Sequence, residues 1–225
     1  MDVTLLTITP EAETIICIVA RNSTLSKAHG EENNAKLIRS CIRKGELPIL
    51  RHAQATFQIQ GISRVCSHQL ITHVFMPRIQ ESRRKVKAAK LYSIPPEFKT
   101  DNELEGMYHY GMTFMYNLYE KFLEKGATKG AARYCLPEGF ATSLTATANM
   151  EEWRKIIKDR YIHPDADWEI HNVVGEIFKI LKKECPNVFY DLEYNKKELE
   201  EGYKSNEKLL QQVSFDFNTV DRRGE

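Results

Sequence analysis

The stretch THVFMPRIQESRRKVKAAK, Thr72 to Lys90, holds a dense set of groups able to do chemistry. Six Lys or Arg fall in its last thirteen residues, after a segment carrying His68 and His73. Within five residues, Gln80, Ser82, Arg83 and Arg84 offer an amide, a hydroxyl and two guanidiniums. An amide pairs a donor with an acceptor, as a pyrimidine edge does. A hydroxyl and paired guanidiniums hold a phosphate dianion through charge-assisted hydrogen bonds. Gln69 and His73 stand four apart and so share one face of a helix. The same residues also read as a solvated basic face, and at this point both readings stay open.

Other chemistries find little support. The chain has no Gly-x-Ser-x-Gly, no His-Glu-x-x-His, no Walker loop and no Gly-x-Gly-x-x-Gly, and Ser82 has no base at a telling spacing. A cofactor, if there is one, must be held by something other than the common nucleotide loops, and no metal is expected. Five scattered cysteines (Cys17, Cys41, Cys66, Cys135, Cys185) form no Cys-x-x-Cys pair. They predict reduced thiols and a cytoplasmic location. A net charge of +1 argues against an all-over electrostatic nucleic-acid binder. Neither a signal peptide nor an apolar run long enough to span a membrane is read.

The elements that must position these residues follow from periodicity. VTLLTI (Val3–Ile8) reads as a strand, and Pro10 opens a helix towards Arg21. Asn22–Asn34 reads as a loop, and Ala35–Lys44 as a helix stopped by Gly45. His52–Ile62 is the clearest strand. Ala53, Ala55, Phe57 and Ile59 alternate with Gln54, Thr56, Gln58 and Gln60, so one face is apolar and the other needs water, a polar partner or a ligand. Gly61 breaks the alternation, and Ser63 caps a helix running to about His73. Asp101–Lys125 reads as a long helix with Met107, Tyr110, Phe114, Met115, Leu118 and Phe122 in one stripe, a core or subunit-packing face. A short helix spans Lys129–Cys135. Asn149 with Glu152 opens a helix through Arg160. Asp165 or Asp167 opens another through Lys183, with Ile170, Val173, Val174, Ile177, Phe178 and Leu181 on its buried side. A single domain over residues 1–195 with a charged tail over 196–225 is expected.

The order of motifs resembles the flavin-dependent thymidylate synthases. Gly61-Ile62-Ser63-Arg64 is followed by Ser67-His68-Gln69-Leu70. The family signature, Arg-His-Arg, seven residues, Ser, stands here as Thr72-His73-Val74 and then Ser82. Ala132-Arg133-Tyr134-Cys135-Leu136-Pro137 resembles the family's Ala-Arg-x-x-Leu-Pro. Thr147-Ala148-Asn149 resembles Thr-x-Asn, with Arg160 at the expected distance, and Ala166-Asp167-Trp168-Glu169-Ile170 resembles Ala-Gln-x-Glu-Ile. The resemblance runs from about residue 3 to 190.

It implies an α+β fold, a largely antiparallel sheet with packed helices, and a homotetramer with composite sites between subunits. It also implies reductive methylation of dUMP, with methylenetetrahydrofolate as carbon donor, reduced FAD as hydride source and NADPH reducing the flavin. The dUMP site would comprise Gln69, Gln80, Ser82, Arg83, Arg84, Arg133 and Arg160. Of these, Ser82, Arg83 and Arg84 lie near the phosphate, Arg133 reaches in from a neighbouring subunit, and Arg160 is the catalytic group at the uracil. His73, Gln80 and Asn149 fall at flavin positions. The chain departs from the family at Thr72 and Val74, which replace both signature arginines, at Lys85 for a tyrosine, and at His171 for an arginine. In the family's Gly-His-x-Ser-x-x-Glu-His lead-in, only Gly45 and His52 are kept. Each missing guanidinium forfeits about 1.5–3 kcal/mol of charged hydrogen bonding, roughly tenfold in affinity. A paralogue making another C5 modification of a pyrimidine nucleotide, such as hydroxymethylation, and a catalytically silent nucleotide-binding or nucleic-acid-binding protein remain as alternatives.

Overall fold

The computed structural model describes residues 1–22 and 31–193. In chain order the elements are β1 (Asp2–Ile8), α1 (Ala12–Asn22), α2 (Glu31–Lys44), β2 (Gln54–Ser63), α3 (Arg64–Leu70), β3 (Arg78–Gln80), α4 (Asn102–Glu124), α5 (Lys129–Ala132), β4 (Ala141–Asn149), α6 (Met150–Ile157) and α7 (Trp168–Glu184). The four strands form one sheet in the order β1-β2-β4-β3, every pair antiparallel. This is the α+β arrangement expected.

The alternation in β2 does what its period requires. Ala53, Ala55, Phe57 and Ile59 are buried against the helices, while Gln54 and Gln60 stay exposed. Trp153 of α6 stacks edge-on against Phe57, ring centroids 5.2 Å apart, and its indole N–H donates to the Ala55 carbonyl at 3.1 Å. Ile170, Val173, Val174, Ile177 and Leu181 of α7 join the same core, with Ile16 of α1 and Ile38 of α2. Each fully buried side chain of this kind contributes about 1.5–3 kcal/mol.

At Gly61 the β2–β4 register slips, and the glycine sits at φ +70°. Such a bulge turns two successive residues inward, and Ile62 and Ser63 are both buried. Ser63 then caps α3, its hydroxyl accepting from the Cys66 N–H at 2.9 Å. The buried Glu169 of α7 fixes this turn. It accepts from the Ser63 N–H at 2.9 Å, from the Ser63 hydroxyl and from the Ser93 hydroxyl.

Several expectations change. The helix after Ser63 ends at Leu70, so Thr72 and His73 lie on the turn beyond it. α2 begins at Glu31, so residues 31–34 are helical rather than loop, and 23–30 lie outside the described residues. The short strand β3 and the central strand β4 were not expected. Inward-facing Thr142, Ala146 and Ala148 are too small or polar to mark β4 as a strand. The α4 stripe is not a core within this chain. Met107, Tyr110, Phe114 and Phe122 are exposed, and α4 instead packs through Met112 and Tyr119 onto Phe140, Leu136 and Ala88. The charged tail expected from residue 196 lies outside the described residues.

Replacing Glu169 by alanine removes the acceptor for three donors at once, and each donor left buried and unpaired costs about 1–3 kcal/mol. The variant is expected to lose about 3 kcal/mol or more in urea unfolding, with Glu169→Gln intermediate. Equal stability of Glu169→Ala and wild type contradicts the anchoring role.

Candidate active site

The short helix α3 carries polar groups at both ends. At about 1.5 Å per residue its seven residues span roughly 10 Å. Arg64 at its start lines a cavity of about 400 Å³ together with Arg83, Arg133, Tyr134, Leu136 and Glu138. Arg83 is buried, and its Nη2 donates to the carbonyls of Phe140 at 2.7 Å and Ala141 at 3.2 Å. Its Nε has no partner. Burial, and then the charge of Arg64, pushes the Arg83 guanidinium below its usual range, with Arg133 adding to the effect. Three guanidiniums around one cavity repel one another until an anion joins them.

Arg83 reaches this cavity because the turn opened by the Ser82 carbonyl, which accepts from the N–H groups of Lys85 and Val86 at 2.9 Å, directs it inward. The same turn leaves Ser82 half-buried and Arg84 exposed, and neither lines the cavity. Arg133 joins Arg64 and Arg83 of its own chain, its Nε donating to the Gly130 carbonyl at 3.2 Å. Arg64 was missed as a site residue. The Gly-Ile-Ser-Arg run contains it, but only the N-terminal end of α3 gives it a role.

Towards the far end of α3, Gln69 has a buried side-chain oxygen without a hydrogen-bond partner. Gln80 of β3 is fixed against the middle of α3: its Nε2 donates to Ser67 Oγ at 2.8 Å and lies 3.4 Å from Thr142 Oγ1. On the turn that follows, Thr72 and His73 meet Arg160, more than eighty residues later in the chain. Arg160 Nε donates to His73 Nε2 at 3.2 Å, and Arg160 Nη2 donates to Thr72 Oγ1 at 3.0 Å. Arg160 reaches them from a π-helical turn over Lys158–Ile162 that follows α6 directly. Such wide turns redirect a side chain relative to the helix before them.

His73 is only 5% exposed. Burial, and then the neighbouring Arg160, lowers its pKa below the ordinary 6.5, with Asp159 opposing and Lys155 assisting. Because Nε2 accepts from Arg160, the ring proton of neutral His73 belongs on Nδ1. That atom lies 3.7 Å from Oε1 of the buried Glu152, an oxygen with no hydrogen-bond partner. Burial raises the pKa of Glu152.

On the other side of Glu152, a cavity of about 500 Å³ is lined by Arg51, Phe75, Asn149, Glu151, Glu152, Arg154, Lys155 and Lys158, among others. Two of its cations are already engaged: Arg51 pairs with Glu151, and Arg154 with Asp191 at 2.7 Å. Lys155 and Lys158 are exposed, as is the Phe75 ring, 71% accessible. This donor set fits an anionic cofactor with an aromatic ring. Asn149 borders the cavity while capping α6, its Oδ1 accepting from the Glu152 N–H at 2.9 Å. His73 and Gln80 make their observed bonds to Arg160 and Ser67 instead. Among the described residues, no cluster of His, Cys, Asp or Glu is arranged to hold a metal ion, and no helix is long and apolar enough to cross a membrane.

An α+β domain with an arginine-lined cavity at one end of a short helix, and polar groups at the other, suits a nucleotide-handling protein. The family described as "Thymidylate synthase complementing protein" matches residues 4–187, and the chain belongs to it. The flavin-dependent thymidylate synthase of Sulfurisphaera tokodaii is 31% identical over 201 residues, covering 84% of this chain and 76% of that protein. That of Pyrococcus abyssi is 31% identical over 144 residues, and the match spans 62% of this chain and only 59% of that relative. Among solved structures, the UMP/dUMP methylase PolB from Streptomyces cacaoi, bound with 5-Br dUMP, superposes with a TM-score of 0.76 at 18% identity, covering 83% of this chain and 92% of that one. The likeness shows a shared fold.

The lowered pKa of His73 has a definite sign. Between its folded value and 6.5 the unfolded chain binds the proton and the folded chain does not, so stability falls as pH drops below 6.5. Glu152 acts in the opposite sense, favouring the folded state below its raised pKa. Unfolding free energies at pH 7.5 and 5.5 are expected to fall more steeply on acidification for wild type than for His73→Gln. Parallel curves contradict the neutral-histidine assignment.

Proposed function

We propose that the protein is a flavin-dependent thymidylate synthase, converting dUMP to dTMP with methylenetetrahydrofolate as carbon donor. The observation that carries this reading is the placement of two complementary sites at opposite ends of α3. Arg64, Arg83 and Arg133 suit a phosphate, and Gln69 and Arg160 suit a pyrimidine edge. The roughly 10 Å length of α3 is comparable to the reach of a nucleoside monophosphate from its 5′-phosphate to its base. Family membership supports the same activity, as do the names of its relatives. The structural neighbour, a UMP/dUMP methylase, agrees with it.

In this reading Gln80 orients the base side through Ser67, while Ser82, whose carbonyl forms the turn that carries Arg83, and the exposed Arg84 stay outside the arginine cavity. Arg160 is the catalytic residue: a guanidinium that keeps its charge stabilises negative charge developing on the uracil ring, so that C5 attacks the donor methylene. The methylene–nitrogen bond then breaks, tetrahydrofolate leaving as the C5 proton is lost, and a hydride reduces the resulting exocyclic methylene to methyl. No cysteine is poised to add to C6. Burial pushes the Cys17 thiol up to about 11 and that of Cys185 up to about 12, and it raises those of Cys41, Cys66 and Cys135.

FAD would be held in the larger cavity, Lys155 and Lys158 supplying charge for its phosphates, Phe75 an aromatic face for a ring and Asn149 a polar group at the wall. His73 stands behind its Glu152 wall, Nδ1 lying 3.7 Å from the Glu152 carboxylate. The bound flavin supplies the hydride, and NADPH restores it. A cytoplasmic homotetramer completes the reading, with the exposed apolar face of α4 as a packing surface.

Purified protein is expected to carry, or take up, a yellow flavin chromophore, and mass analysis should find a product heavier than dUMP by one methylene. Arg160→Ala should lower turnover by at least a hundredfold, about the loss for one preorganised charge-stabilising donor, while weakening dUMP binding much less. A colourless protein that refuses added FAD contradicts the flavin assignment. Unchanged turnover in the variant removes Arg160 from the chemistry.

A further inference from the structure

The first signature position, arginine in the family pattern, is Thr72 here. An arginine has five N–H donors and no acceptor, so it cannot receive a hydrogen bond from another guanidinium. Thr72 can, and its geometry is prepared for it. The Thr72 hydroxyl donates its own proton to the Gln69 carbonyl at 2.8 Å, and this leaves its lone pairs for Arg160 Nη2 at 3.0 Å. His73 Nε2 takes the Arg160 Nε–H at 3.2 Å. Two acceptors on different nitrogens fix both the direction and the rotation of a planar group. The remaining N–H groups of Arg160, both on Nη1 and the second on Nη2, are left for a ligand.

We propose that Thr72 is a positioning residue for Arg160: its hydroxyl, set by the Gln69 carbonyl, locks the guanidinium in register with the base-reading end of α3. The substitution at the signature thus exchanges a cation that could contact a ligand itself for an acceptor that acts through a second arginine. The bond also couples the two base-side groups, because Gln69 sets Thr72 through its backbone while its own side-chain oxygen stays without a partner. Val74, at the other altered signature position, is exposed and carries no polar group to share this task. The inference rests on Arg160 serving the nucleotide as proposed above.

The test compares flavin-loaded wild type, Thr72→Val, Thr72→Ser and Arg160→Ala. For each, dUMP affinity is measured by calorimetry, turnover under saturating substrates, and thermal midpoint by scanning. Thr72→Val keeps the shape and removes the acceptor. It is expected to lower kcat about tenfold, the worth of one hydrogen bond to a charged group, with KM for dUMP changed less than about twofold. Because Thr72 is exposed, the thermal midpoint should stay where it is. Thr72→Ser restores the hydroxyl and should recover most of the lost turnover. If Arg160→Ala destroys turnover while Thr72→Val leaves kcat unchanged, or if serine fails to rescue, the positioning role is overturned and Arg160's role stands. If Arg160→Ala leaves turnover and dUMP affinity unchanged, the functional reading falls, and the positioning role falls with it.

Discussion

The site depends on how the first turn of α3 is closed. A ten-residue strand delivers Ser63 inward through a glycine bulge, and one buried carboxylate from α7 receives its N–H and hydroxyl together with the Ser93 hydroxyl. A short helix has little intrinsic stability, and on its own it would fray. Held at its first turn by Glu169 and packed through Cys66 and Leu70 into the core, α3 becomes a fixed spacer. Its ends then present Arg64 to one cavity and Gln69, Thr72 and His73 to Arg160.

The electrostatics follow from that placement. At one end, arginines are gathered with few carboxylates to offset them, an arrangement that costs free energy without an anion. At the other, a single guanidinium is paired with neutral acceptors. Thr72 and a deprotonated His73 hold Arg160 without cancelling its charge, whereas a carboxylate in either place would neutralise it. The burial that keeps His73 neutral therefore also preserves the positive charge of Arg160 for a ligand. The π-helical turn over Lys158–Ile162 completes the arrangement by turning Arg160 away from the α6 face, which is committed to Trp153, Ile156 and Ile157 in the core.

The sequence disclosed the parts whose periodicity is strong. β2 and α7 are legible because large apolar side chains recur at spacings of two and of three to four, and the caps at Ser63, Asn149 and Asp167 carry the side-chain oxygens their helices use. The central strand β4 was hidden because its inward positions are Thr142, Leu144, Ala146 and Ala148, mostly too small to signal burial. α4 is legible only in part: its apolar stripe, read as a core or subunit-packing face, is exposed on this chain, and the face packed within the chain is built from tyrosines and Met112. At the site, the expected nucleotide residues came from their order along the chain, and order says nothing of their partners. Arg64 gains meaning from the cavity it shares with Arg83. Thr72 looked like a loss from the signature and proves to hold Arg160 across a separation that local pattern does not reveal.

Whether α3 spaces a phosphate site and a base site for one nucleotide is decided by a crystal structure with dUMP bound. The phosphate is expected among Arg64, Arg83 and Arg133, with a new partner for the Arg83 Nε, and the uracil edge against Gln69 and Arg160. A nucleotide bound elsewhere, or lying across α3 with its phosphate away from the arginine cavity, contradicts the spacer role.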